Sequence, residues 1–175
     1  RKDPDQRYAS ARQVLAALAA GEPTTQARLF GRDPELGVLL AAHQGVLAGR
    51  GEVVVLKGPR GSGRTTLIRA LTEQIRASGA TVASVGGDVE APIARLAERL
   101  PSVADEPDLR GAPLLAARVR GRPTTLVIDD LDRVGGGELE LLTGLVRGRL
   151  VIEGEPLLVV VSTAGLDGGV GAFCS

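Results

Sequence analysis

Methionine, tryptophan and asparagine are absent from this 175-residue sequence, aromatics make up 2% of it, and it holds one cysteine and one histidine. Each shortage excludes something. Cys174 cannot form an internal disulfide, and together with His43 it cannot complete a four-ligand zinc site. A reducing, cytoplasmic setting is therefore expected. The longest run of large aliphatic side chains, Leu157 to Val161, falls far short of the roughly 20 apolar residues that span a membrane, and no secretory leader is evident. Lys plus Arg number 21 and Asp plus Glu number 21, so no global cationic field attracts a phosphate backbone, and a nucleic-acid partner is not expected. Few aromatics leave a core of Val, Leu, Ile and Ala. A sequence without an initiator Met is expected to be a piece of a longer protein.

What is present divides into three stretches. In residues 1–20, Ala11, Val14, Leu15 and Leu18 fall on one helical stripe, and Ser10 with Gln13 forms a potential capping box. Gly21 and Pro23 end that helix, and residues 21–28 read as a linker. The main domain is expected over 29–175. A helix over Pro34–Ala48 starts it, with Asp33 as cap and Leu36, Leu39, Leu40, Val46 and Leu47 available for burial. His43 lies in this helix and is expected on its solvent surface.

Four short apolar runs follow: Val53–Leu56, Thr81–Val85, Leu126–Ile128 and Leu157–Val161. They do not alternate with polar residues, which suits strands buried on both faces. Helical patterns over Thr65–Ala77, Ala91–Leu100, Pro113–Val119 and Glu138–Leu150 separate them. Such alternation predicts a parallel sheet covered by helices. The Gly-rich stretch 165–171 reads as loop or tail.

Directly after the first strand comes Gly58-Pro59-Arg60-Gly61-Ser62-Gly63-Arg64-Thr65, which resembles the Walker A phosphate loop. Successive amides can converge on phosphate oxygens only if glycines allow the bend, and the next helix adds its free N–H groups and positive dipole end. Thr65 would present its hydroxyl to Mg2+, and Thr66 could reach a phosphate oxygen. Where the pattern has Lys, this chain has Arg64, whose guanidinium is wider and planar. Binding could survive that change while catalysis weakens. The alternative is an ordinary glycine-rich turn with Arg64 and Arg60 facing water.

Thr124-Thr125-Leu126-Val127-Ile128-Asp129-Asp130 is a buried strand ending in two carboxylates and resembles Walker B. A carboxylate at the C-terminal end of a parallel strand faces the ligand crevice of an open α/β sheet. Asp129 would hold Mg2+. Asp130 falls where related enzymes carry the carboxylate that polarises attacking water, and is the candidate catalytic residue. Helix capping in the turn after Ile128 is the alternative use of both acids. Ser162 or Thr163, closing the last strand, resembles a sensor position, with Thr163 taken as the second catalytic candidate; ordinary turn chemistry is the alternative.

Phe30-Gly31-Arg32-Asp33-Pro34-Glu35-Leu36, the glycine-rich loop and Leu126–Asp132 together resemble the opening of a STAND-type signal-transduction ATPase of the AAA+ class, over about residues 29–163. The resemblance implies a three-layer P-loop NTPase α/β fold with core strand order 5-1-4-3-2. Four strands are expected here, with the loop-bearing strand at an open edge and the sheet ending before its fifth. It further implies ATP and Mg2+ as ligands, contact of Gly31 and Arg32 with the adenine end, and other domains of the same polypeptide and regulatory proteins as partners. Asp33 stands where the family usually has Glu. Lys2-Asp3-Pro4-Asp5-Gln6-Arg7-Tyr8-Ala9-Ser10-Ala11 resembles the closing motif of Ser/Thr protein kinases. The resemblances imply a kinase-linked ATP-binding switch with little or no hydrolysis. A P-loop-shaped interaction module without turnover is the alternative.

Overall fold

The computed structural model describes residues 31–103, 108–148 and 154–165. The kinase-like helix, the linker and most of the glycine-rich ending lie outside these residues. The element order is α1 (Asp33–Leu47), β1 (Glu52–Lys57), α2 (Arg64–Ala77), β2 (Thr81–Gly86), α3 (Pro92–Glu98), α4 (Gly111–Val119), β3 (Thr124–Asp129), a 3-10 turn (Leu131–Arg133), α5 (Gly136–Val146) and β4 (Leu157–Thr163).

The four strands form one parallel sheet in the order β1-β4-β3-β2. Alternate side chains on each strand point to opposite faces, so the sheet builds two cores. Leu126, Ile128, Val159 and Val161 face α3, α4 and α5 through Ile93, Leu96, Leu115 and Leu142. Val127, Leu158 and Val160 face α1 and α2 through Leu39, Val46, Leu71 and Ile75. Three layers result, as a P-loop NTPase α/β fold requires.

Every residue of β4 is buried, and β3 is buried up to Ile128. By contrast β1 is half-buried with exposed ends, because β4 covers only one of its edges. Among the described residues the loop-bearing strand thus stands at a sheet edge, as expected for the implied order 5-1-4-3-2 without its fifth strand. The register pairs Val55 with Val161 and Lys57 with Thr163. Consequently β1, β3 and β4 all deliver their C-terminal residues to one end of the sheet.

Two expectations about α1 need correction. The helix begins at Asp33, with Arg32 in the cap position and no side-chain cap bond, so Asp33 is a first-turn residue. His43 is buried, not at the surface, and its Nδ1 lies 3.0 Å from Thr125 Oγ1. Leu36, Leu39, His43 and Val46 share one helical stripe, and that stripe packs on the sheet. Leu47 is exposed instead. Helix α5 begins at Gly136, two residues ahead of its expected start.

Candidate functional site

The loop after β1 is built by backbone geometry. The Gly58 amide donates to the Thr163 carbonyl at 3.2 Å, extending the β1–β4 ladder by one bond. The chain then turns, with the Ser62 amide donating to the Pro59 carbonyl. Gly63 caps α2 at φ +85°, a left-handed conformation that suits glycine. A Cβ at Gly58 would stand 2.9 Å from Ser62 Oγ, so the strand exit also requires glycine for space. Helix α2 has no acidic residue in its first turn, which leaves its positive end without compensation. Ser62 Oγ is buried and has no hydrogen-bond partner among the described residues.

A cavity of about 380 Å³ lies over this bend, lined by Arg60, Gly61, Ser62, Gly63, Arg64, Thr65, Thr66, Asp130 and Arg133. A second cleft, of about 250 Å³, runs along α2 and has both Thr65 and Asp129 in its wall. The structure therefore places the expected metal-ligating hydroxyl and carboxylate beside one space. Strand parity explains it, since Asp129 points to the same face as Val127, the face that α2 covers. Magnesium usually keeps several waters and needs only one or two protein oxygens besides phosphate. The loop donors, the orphaned Ser62 hydroxyl and the Thr65–Asp129 pair fit a nucleotide phosphate chain with such an ion.

Arg64 is committed elsewhere. Its guanidinium donates to the Gly58 carbonyl through Nη1 and to Asp130 Oδ1 at 3.0 Å through Nη2, with the Arg64 side chain 10% exposed. Asp130 itself has φ +55°, unusual for a non-glycine residue. Its neighbourhood over-determines that conformation. The Asp130 amide donates to Ser162 Oγ at 2.8 Å, while the Ser162 hydroxyl donates to Asp129 Oδ1. The Gly87 amide donates to the Asp129 carbonyl, and a Cβ on Gly87 would lie 2.0 Å from the Asp130 carbonyl oxygen.

Arg32 joins α1 to the loop, donating to the Ser62 carbonyl at 2.7 Å and pairing with Glu35 at 3.0 Å. Gly31, at φ +73°, precedes it. The Thr163 hydroxyl donates to the Gly165 carbonyl and is thus occupied by its own turn. Partial desolvation disfavours ionised Asp132. The amides of Ala164 and of Asp132 itself and the positive field of Arg64 outweigh that penalty and lower the carboxyl pKa.

Ser162, offered with Thr163 as a sensor candidate, bridges both acids, and it lies on the same face of β4 as Leu158 and Val160, the face toward α2. Arg133 follows no motif, and only the hydrogen-bonded turn after β3 brings it to the cavity.

Residues 28–160 match the AAA ATPase domain family. The chain belongs to that family. No curated protein sequence matches it. Among solved structures, this AAA ATPase domain resembles Cdc6p from Pyrobaculum aerophilum (TM-score 0.59, 19% identity, 86% of this chain and 45% of that one). It also resembles Drosophila ORC bound to DNA (TM-score 0.60, 16% identity, 78% and 39%). A third similar structure is the Aeropyrum pernix ORC1 protein in complex with DNA (TM-score 0.52, 22% identity, 78% and 39%). At these identities the likeness concerns the fold. The AAA ATPase domain spans less than half the length of each of these three chains. Among the described residues, no helix is long and apolar enough to cross a membrane.

Proposed function

We propose that this AAA ATPase domain binds ATP with Mg2+ and acts as a nucleotide-dependent switch that turns ATP over slowly. The single observation that carries the reading is the shared cleft of Thr65 and Asp129 beside the loop cavity. The loop amides and the start of α2 would hold the phosphates, and the Thr65 hydroxyl and Asp129 carboxylate would hold the metal. When bound, ATP supplies the phosphoanhydride bond, and Mg2+ neutralises charge on its oxygens. Asp130 would orient water and accept its proton, but only after leaving Arg64, to which it is bonded. Slow turnover follows from that competition. The contact of Arg32 with the Ser62 carbonyl supports a role for Gly31 and Arg32 in reporting loop occupancy to α1.

The kinase-like motif at residues 2–11 and the STAND-like opening at 30–36 support a place in a larger signalling polypeptide, with other domains and regulatory proteins as partners. The balanced charge gives no support for a nucleic-acid partner. The same Arg64–Asp130 bond favours a second reading, a nucleotide-free interaction module, if it persists when ATP is present. Calorimetric titration of the chain with ATP, with and without Mg2+, separates the two. Magnesium-dependent binding supports the switch, and no heat under either condition supports the module.

A further inference from the structure

The cation that the phosphate-loop pattern places against the outer phosphates is, in this chain, bonded to Gly58 and Asp130. Two further guanidiniums line the cavity, that of Arg60 on the loop itself and that of Arg133 on the 3-10 turn after β3. The Arg133 backbone is fixed, since its amide donates to the Asp130 carbonyl at 2.9 Å and the Val134 amide to that of Leu131 at 3.1 Å. Leu131 is wholly buried and anchors the turn.

The Arg133 side chain, in contrast, is half-exposed, and its one ion pair among the described residues is with Asp88, at 3.7 Å, beyond hydrogen-bonding reach. A loose, solvated pair of this kind contributes little and is easily exchanged for a stronger partner. Phosphate is such a partner, because guanidinium and phosphate oxygens match in charge and in fork geometry. Asp88 sits on the turn after β2, where it would repel the same phosphate.

Building on the nucleotide reading above, we propose that Arg133 grips the terminal phosphate of the bound nucleotide and that Asp88 holds it back until that phosphate arrives. Arg133 is then the residue by which the domain distinguishes a triphosphate from a diphosphate, and Asp88 is a positioning residue acting through it.

Calorimetry of the chain with MgATP and with MgADP tests this in the unaltered form and in Arg133→Gln, Arg133→Lys and Asp88→Asn, with circular dichroism confirming that each variant is folded. Loss of a charge-assisted contact should lower ATP affinity about tenfold in Arg133→Gln and leave ADP affinity nearly unchanged. Arg133→Lys should recover part of the loss. Asp88→Asn should raise ATP affinity about threefold, the effect of removing one weak competing pair. An ATP-to-ADP affinity ratio that is unaltered in Arg133→Gln overturns the proposal and leaves the nucleotide reading standing. Failure of the unaltered chain to bind either nucleotide overturns both.

Discussion

Arg64 and Asp130 are joined by a 3.0 Å ion pair that ties the phosphate loop to the end of the acidic strand. One residue stands where a phosphate-contacting lysine is usual, and the other where water is activated. In the proposed reading each would block the other's chemistry. Lysine offers one compact ammonium on a shorter side chain in place of a planar fork, so it should not hold Gly58 and Asp130 in the geometry that Arg64 does. Arg64→Lys should therefore release Asp130 and raise phosphate release by about tenfold or more, the lower range of what a positioned general base contributes. Unchanged turnover, with binding intact, would show that Asp130 is not what Arg64 restrains.

Ser162 connects both acids through one hydroxyl. Ser162→Ala leaves the Asp130 amide without its acceptor, which should cost about 1–3 kcal/mol of stability. It also frees the Asp129 carboxylate, so Mg2+ affinity in the presence of ATP should fall by about 10-fold or more, as for other residues that orient metal ligands. Urea denaturation and Mg2+ titration measure the two effects separately.

Gly87 and Gly37 make a matched test of backbone crowding. A methyl group at Gly87 collides with the Asp130 carbonyl, whereas one at Gly37 in α1 meets nothing within 4 Å. Gly87→Ala should destabilise the fold by about 2–4 kcal/mol through overpacking. Gly37→Ala should stabilise it by about 0.5–1 kcal/mol, because the helix is already formed and only the unfolded chain loses freedom. Equal effects in chemical denaturation would contradict the close approach at β2 and β3.

His43 is buried against Thr125, with Nε2 unpartnered among the described residues, and burial lowers its pKa below the ordinary 6.5. The unfolded chain therefore takes up the proton first as pH falls, and stability decreases below about pH 6.5 with a slope of at most about 1.4 kcal/mol per pH unit. Replacing the pair by His43→Leu with Thr125→Val should remove that component below about pH 6.5, while carboxylate effects remain. An identical slope in the double variant would show that His43 stays neutral in both states or is solvated.

The strands and most helices were legible because uninterrupted aliphatic runs such as Leu157–Val161 and stripes such as Leu67, Leu71 and Ile75 have one physical use, burial. The loop and the acidic strand end were legible as motifs whose spacing carries their geometry. His43 was misplaced because its polarity outweighed its stripe, although its positions relative to Leu36, Leu39 and Val46 point inward. The bond between Arg64 and Asp130 and the position of Arg133 were not legible. Both arise from residues far apart in sequence, brought together only by the crossover from β1 to β3 and by the left-handed backbone of Asp130.

Thr65 and Asp129 are proposed to hold a metal ion together on a nucleotide phosphate chain. ATP titration of the unaltered chain, Thr65→Ala and Asp129→Ala, each with Mg2+ and with chelator, tests this most directly. Mg2+ should strengthen ATP binding in the unaltered chain, and either substitution should abolish the gain. A gain from Mg2+ that survives in both variants would contradict the proposal.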